Sequence, residues 1–270
     1  QAQAWIQREL GKRAADIPVG VAINSPFEHG SIIRFNNNLP ELNGFAVRPY
    51  LERAIGSAVR LEWDINAALL GELRAGAARG VDRVAMVSVG TGLGAAVAVG
   101  GQLLRWLFNQ TPGEIGHMVV ARDGPPCTCG GRGCWEAMVS ARGVMRAARD
   151  LAASGRFPSL RPVLEGTGDD PAFTPEALSA RADQGDEGAR AVWQEVGEWL
   201  GVGIASLVQI FLAELIIVGG GISLAGEKLL GPCRTAARKH VATNLRDSFE
   251  VTTAALGADS AIIGAASLWA

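Results

Sequence analysis

Apolar residues along this chain switch repeatedly between helical spacing and short continuous runs, which predicts alternating helices and strands. Residues 2–14 carry the helical period and stop near Ile17 and Pro18; residues 18–23 and 31–35 are short β-type runs. Residues 45–55 have an amphipathic helical pattern and 58–63 a strand pattern, and 64–77, dense in Ala and Leu with an acidic start, predict a helix. The run 81–89 is apolar enough for a central strand, and 93–99 continues past Gly90-Thr91-Gly92 as the second arm of a hairpin. Further on, 135–153 is helical. The Gly-, Pro- and Asp-rich stretch 155–171 predicts a surface excursion, and Thr174-Pro175-Glu176 opens a helix with a Thr cap and Pro in its first turn. A long helix over 188–211, a buried strand over 214–218, a helix ending at His240, a strand over 248–254 and a last helix over 261–269 complete the pattern. Hairpins mixed with βα units predict an α/β fold with mixed central sheets.

At 270 residues, 48% hydrophobic and 19% charged, the chain can bury a large core in one large or two intimate domains. Its net charge of −2 gives no general attraction for nucleic acid or anionic membrane. The longest apolar stretch, 200–212, carries Gly, Ser and Gln and reads as a buried helix, so no membrane partner is expected. With no signal peptide and its cysteines clustered, the chain is expected in a reducing cytoplasm. It begins with Gln1, and an N-terminal segment is expected to precede it.

Three of the four cysteines, Cys127, Cys129 and Cys134, fall within eight residues, and His117 stands ten residues upstream in Gly113-Glu114-Ile115-Gly116-His117. One imidazole and three thiolates form the ligand set of a closed tetrahedral zinc site, and Gly130, Gly131 and Gly133 let so short a loop bring its sulfurs together. Reduced structural cysteines or a disulfide are the alternatives; Cys127 and Cys129 are too close to pair easily, and one disulfide leaves a sulfur unexplained. Asp64 follows a strand and opens a helix, where a carboxylate could accept a proton from a substrate hydroxyl or simply serve as an N-cap. Gly90-Thr91-Gly92 and Gly219-Gly220-Gly221 are turns that could present backbone N–H groups to phosphate or need no ligand at all. Glu114 and Glu136 flank the cysteine loop; they could hold vicinal sugar hydroxyls or support the loop by hydrogen bonds. Asn36, Asn37 and Asn38 supply amides in a turn, and among the seven tryptophans Trp63, beside Asp64, is singled out.

Taken together, 64–72, 90–94, 113–117 and 127–136 resemble the ROK family of bacterial sugar kinases and sugar-responsive repressors, over nearly the whole chain from Pro18 to Ala266. The combination Gly-Glu-x-Gly-His with Cys-x-Cys-Gly-x2-Gly-Cys-x-Glu carries the resemblance. It implies an actin-like (ribonuclease H-like) fold of two α/β domains with a sugar cleft: 1–78 as the remainder of the N-terminal domain, 79–270 as the C-terminal domain with its zinc loop at 113–136. By position, Asp64 is similar to the catalytic base. Asn38, Glu114, His117 and Glu136 are similar to sugar contacts, with His117 also a ligand of structural zinc beside Cys127, Cys129 and Cys134. Gly90, Thr91 and Gly92 resemble a phosphate loop, and Gly219, Gly220 and Gly221 the adenosine side of a pocket for Mg-ATP. A homo-oligomer, dimer or tetramer, is also implied.

The departures from the family pattern are specific. The Asp-x-Gly-Gly-Thr phosphate loop of the kinases is absent; Asn24-Ser25 stands where Pro-Gly is usual, Trp63 where Asn is usual, and Trp106 where Gly is usual. Because binding a sugar needs no transition-state stabilisation, these changes put first the effector-sensing, oligomerising core of a ROK transcriptional regulator, reaching DNA through a missing N-terminal domain. The alternative is an ATP-dependent hexose kinase.

Overall fold

The computed structural model describes residues 2–11, 13–34, 39–105, 114–165 and 173–270. The chain opens with α1 (Ala2–Leu10), β1 (Val19–Ile23), β2 (Phe27–Glu28), β3 (Ile32–Ile33), α2 (Val47–Ile55), β4 (Val59–Trp63) and α3 (Asp64–Ala75). The strands β5 (Arg83–Val89), β6 (Leu93–Val99) and β7 (Gln102–Leu103) follow, then α4 (Trp135–Val139), α5 (Ala141–Ala153), α6 (Pro162–Glu165), α7 (Pro175–Asp183) and α8 (Glu187–Phe211). The last elements are β8 (Leu215–Gly219), α9 (Glu227–His240), β9 (Glu250–Thr253) and α10 (Ser260–Ala266). The chain divides into two compact units, the first Gln1–Asp82, Ala96–Gly113 and Ala254–Ala270, the second Arg83–Ala95 and Glu114–Thr253.

In the first unit β1 and β4 pair in parallel, Val19 opposite Val59 and Ile23 opposite Trp63. Helix α10 lies against both α3 and β1 at distances only glycine allows. A Cβ on Gly264 would overlap the carbonyl oxygen of Ala67, one on Gly71 that of Ser260, and one on Gly20 that of Ala265. The junction is locked by Glu72, which is fully buried. Its carboxylate accepts the backbone N–H groups of Ala77 (2.8 Å), Ala255 (3.2 Å) and Leu256 (2.9 Å) and the hydroxyl of Ser260 (2.8 Å). Four donors around one buried carboxylate replace the water it lost.

The described strands of the larger sheet run in the order β7-β6-β5-β8-β9. It is mixed: β5 and β9 flank β8 in parallel, while β7 is antiparallel to β6. Every residue of β8 is buried, as its unbroken apolar run predicts. Helix α8 packs on α9 through Gly197 and Gly201, where a Cβ would press on Leu229 and Cys233. Trp135, fully buried, lies over Gly203 of the same helix and donates its indole N–H to the Trp199 carbonyl at 3.0 Å.

Most predicted elements are found within a few residues of their expected positions, with two differences. The helix expected over 135–153 breaks at Ser140, whose hydroxyl caps α5 by accepting from Gly143, so it is two helices. The excursion expected over 155–171 includes α6 and a 3-10 turn at Pro158–Leu160, and it buries Leu160 and Val163; apolar contact, not its Gly and Pro content, decides where that part of the segment sits. Among the described helices, none is long and apolar enough to cross a membrane.

Glu72→Gln should cost about 3 kcal/mol or more, since a neutral amide weakens charge-assisted bonds and turns an NH2 toward backbone donors. Urea denaturation measures it; a loss under 1 kcal/mol would show that the junction does not depend on the carboxylate.

Candidate functional site

The cysteine loop has few apolar side chains of its own and is held by backbone hydrogen bonds at close range. Cys127 N–H donates to Gly131 O (2.8 Å), Gly130 N–H to Cys127 O (3.0 Å), and Gly133 N–H to Pro125 O (2.8 Å). Gly130 and Gly133 take positive φ, 91° and 68°, and a Cβ on Gly133 would overlap the carbonyl oxygen of Ala121. At that position only glycine combines the turn with the approach. The loop leads into α4 as Trp135 N–H donates to Met118 O at 2.8 Å.

This folding brings together the four residues expected as metal ligands. One ligand atom from each of His117, Cys127, Cys129 and Cys134 lies within 4.8 Å of all the others. His117 Nδ1 is 3.7 Å from Cys127 Sγ, and Cys129 Sγ is 3.7 Å from Cys134 Sγ. Around a tetrahedral zinc with bonds of about 2.0–2.3 Å, ligand atoms are separated by roughly 3.5–3.8 Å. The donor set and its spacing fit such an ion, and the thiols are free cysteines.

Glu136 stands in the first turn of α4, two residues after Cys134. Its Oε2 accepts the N–H of Leu93 at 2.9 Å, immediately after the Gly90-Thr91-Gly92 turn. Its Oε1 lies 3.9 Å from Cys127 Sγ and 3.9 Å from the Arg142 guanidinium. Glu114 is exposed, and its carbonyl accepts from His117 N–H at 2.9 Å, closing the short 3-10 turn that carries the histidine.

The two glycine turns stand at the carboxyl ends of neighbouring parallel strands: β5 runs into Gly90 and β8 ends at Gly219, with Ser88 opposite Gly219. This is where open α/β sheets bind ligands. Around Gly90 and Gly221 a Cβ would meet nothing, and Thr91 is exposed. Gly220, with φ 82°, fits against the backbone of Val89 where any Cβ would clash.

Asp64 belongs to the first unit. The N-cap of α3 is Trp63 and Asp64 is the first helical residue, its Oδ1 accepting Ile65 N–H at 2.7 Å. Burial raises its carboxyl above the usual range, the Ile65 N–H opposing that shift. Beneath it, buried Glu62 accepts from Trp63 N–H (2.9 Å), Asn66 Nδ2 (3.0 Å) and Arg105 (2.6 Å). Motif and spacing do not single out Glu62, Glu72 or Arg105. A signal for Glu72 existed: Ile65, Leu69 and Glu72 share one buried helical stripe, so the carboxylate stands where an apolar residue belongs. Asn38 and Trp106 lie outside the described residues.

The ROK family profile matches residues 3–270. The chain belongs to the ROK family. A glucokinase of Thermotoga maritima is 35% identical over 272 residues, spanning 99% of this chain and 83% of that protein. A ROK glucokinase of Streptomyces griseus, solved with glucose and AMPPNP, superposes with a TM-score of 0.79 at 33% identity, covering 92% of this chain and 80% of that one. The xylose repressor of Bacillus subtilis is 25% identical over 254 residues, 93% of this chain but 60% of the repressor. The fold is therefore the actin-like α/β fold of the ROK sugar kinases. Relatives of both kinds are found, and they favour the kinase alternative over the regulator: the T. maritima glucokinase matches this ROK chain at higher identity and over more of its own length than the repressor does.

Because the folded carboxyl of Asp64 is raised, its stabilising contribution is present below the unfolded value of about 3.9 and lost as pH rises through the folded value. Asp64→Asn should thus raise Tm by a few degrees at pH 7, with the gain vanishing near pH 3.5. An unchanged or lower Tm at pH 7 would mean the burial cost is already offset.

Proposed function

We propose that this chain forms the sugar- and nucleotide-binding body of an ATP-dependent ROK hexose kinase. The observation carrying this reading is the 35% identity to the T. maritima glucokinase across 99% of the chain. The raised Asp64 carboxyl supports it, since a base works best with a pKa drawn toward the operating pH. In this reading Asp64 takes the proton of a sugar hydroxyl as that oxygen attacks the γ-phosphate of ATP. Asn38, Glu114, His117 and Glu136 hold the other hydroxyls. The Gly90-Thr91-Gly92 turn receives phosphate through its N–H groups and the Thr91 hydroxyl, and Gly219, Gly220 and Gly221 leave room for the adenosine. Magnesium, when bound with ATP, neutralises charge developing on the phosphates.

His117, Cys127, Cys129 and Cys134 would hold zinc with every position filled by protein, a structural role. Coordination through His117 Nδ1 leaves Nε2 for a sugar hydroxyl. The xylose repressor's similarity over 93% of the chain supports a second reading, in which the same residues bind a sugar as effector without phosphorylating it.

The test is phosphate transfer from γ-labelled ATP to a panel of hexoses, hexosamines and pentoses. Transfer is expected, with a fall of about 10²–10⁴ in kcat for Asp64→Asn. No transfer from folded, zinc-loaded protein would exclude the kinase and leave the effector-binding reading.

A further inference from the structure

The segments around the candidate metal ligands, with the start of α5, also grip the Gly90-Thr91-Gly92 turn. Glu136 Oε2 accepts Leu93 N–H at 2.9 Å, and a Cβ on Gly92 would stand 2.7 Å from the same oxygen. Gly116, beside His117, lies so close that a Cβ there would overlap the Leu93 carbonyl oxygen. The Gly90 carbonyl accepts Ala141 N–H at 2.8 Å, at the start of the helix after α4. Within the turn, Gly90 N–H donates to Gly92 O at 2.9 Å. A turn with two glycines has wide backbone freedom, so its shape depends on these outside contacts.

We propose that Glu136 is a positioning residue that couples the metal-ligand cluster to the Gly90–Gly92 turn, so that metal occupancy sets how well the turn binds nucleotide phosphate. That the ligand is a nucleotide rests on the kinase reading; the mechanical coupling does not. Glu136 can do this because its side chain is only 12% exposed, with one oxygen on the Leu93 N–H and the other facing Cys127. A charged acceptor makes the stronger kind of hydrogen bond. Cys127, Cys129 and Cys134 fix the start of α4, and the start of α4 fixes Glu136. Without an ion at the cluster that loop would be free to move, and the Leu93 N–H would lose its acceptor. A side chain at Gly92 would displace the carboxylate.

Amide hydrogen exchange on the full reduced chain tests this, with zinc content measured in parallel. Chelation of the native protein should speed Leu93 exchange about tenfold, the size expected for one lost charged hydrogen bond. Glu136→Ala should do the same with zinc retained, and Gly92→Ala should reproduce it from the turn side. Glu136→Gln keeps an acceptor oxygen and should restore most of the protection. Amides of β8 and α9 should be unaffected throughout, and the Kd for Mg-ADP should rise about tenfold with Leu93 exchange. Unchanged Leu93 exchange in chelated protein whose 114–134 amides have opened would overturn the coupling. Native exchange in zinc-replete Glu136→Ala would overturn the role of Glu136. If the native protein binds no Mg-ADP, the kinase reading fails, while Leu93 exchange still decides the coupling.

Discussion

The convergence of His117, Cys127, Cys129 and Cys134 is the constraint on which the second unit's site depends. Between 119 and 132 no residue is fully buried, and Arg122, Asp123, Thr128, Cys129, Gly130, Gly131 and Arg132 are exposed. Apolar burial at about 25 cal/mol per Å² therefore contributes little there, and a metal held by the four side chains would do what a core does elsewhere. The loop is tied to the body at its end, where Cys134 and Trp135 are buried and Trp135 packs into α8. Structural zinc sites contribute their binding free energy directly to folding. Such a site would make the positions of Glu114, His117 and Glu136 consequences of one coordination event.

The first unit solves a similar problem with a carboxylate. Glu72 gathers donors from the end of α3 and from 255–260, segments far apart in sequence, and the glycine contacts of α10 bring the backbones close enough for it. Glu62, one turn before Asn66, anchors the strand-to-helix junction that presents Asp64. Asp64 is thus held on a packed helix start while its own carboxyl stays costly to ionise, a combination suited to a base.

Local chemistry was legible where spacing alone encodes it. The Cys-x-Cys-x4-Cys run with His117 pointed to a ligand cluster because so short a loop leaves its sulfurs few other places to go. The Thr174 and Pro175 start of α7 was legible because capping uses adjacent residues. What was not legible depends on distant partners. The helical pattern sets Glu72 on an apolar stripe, yet only the arrival of the 255–256 backbone shows what its carboxylate binds, and nothing within 260–266 says that this helix covers α3. The break at Ser140 was hidden because its flanks are both helical. The differences at Trp63, Asn24 and Ser25 point toward a regulator, but they are local changes, outweighed by similarity spread along the whole chain.

A metal held by one imidazole and three thiolates would organise the site. X-ray absorption on the reduced, chromatographically pure protein, with metal analysis, tests it directly. One zinc per chain is expected, with three sulfurs at about 2.3 Å and one nitrogen at about 2.0 Å. Folded protein without zinc, its three loop thiols all open to titration and its sugar affinity intact, would contradict it.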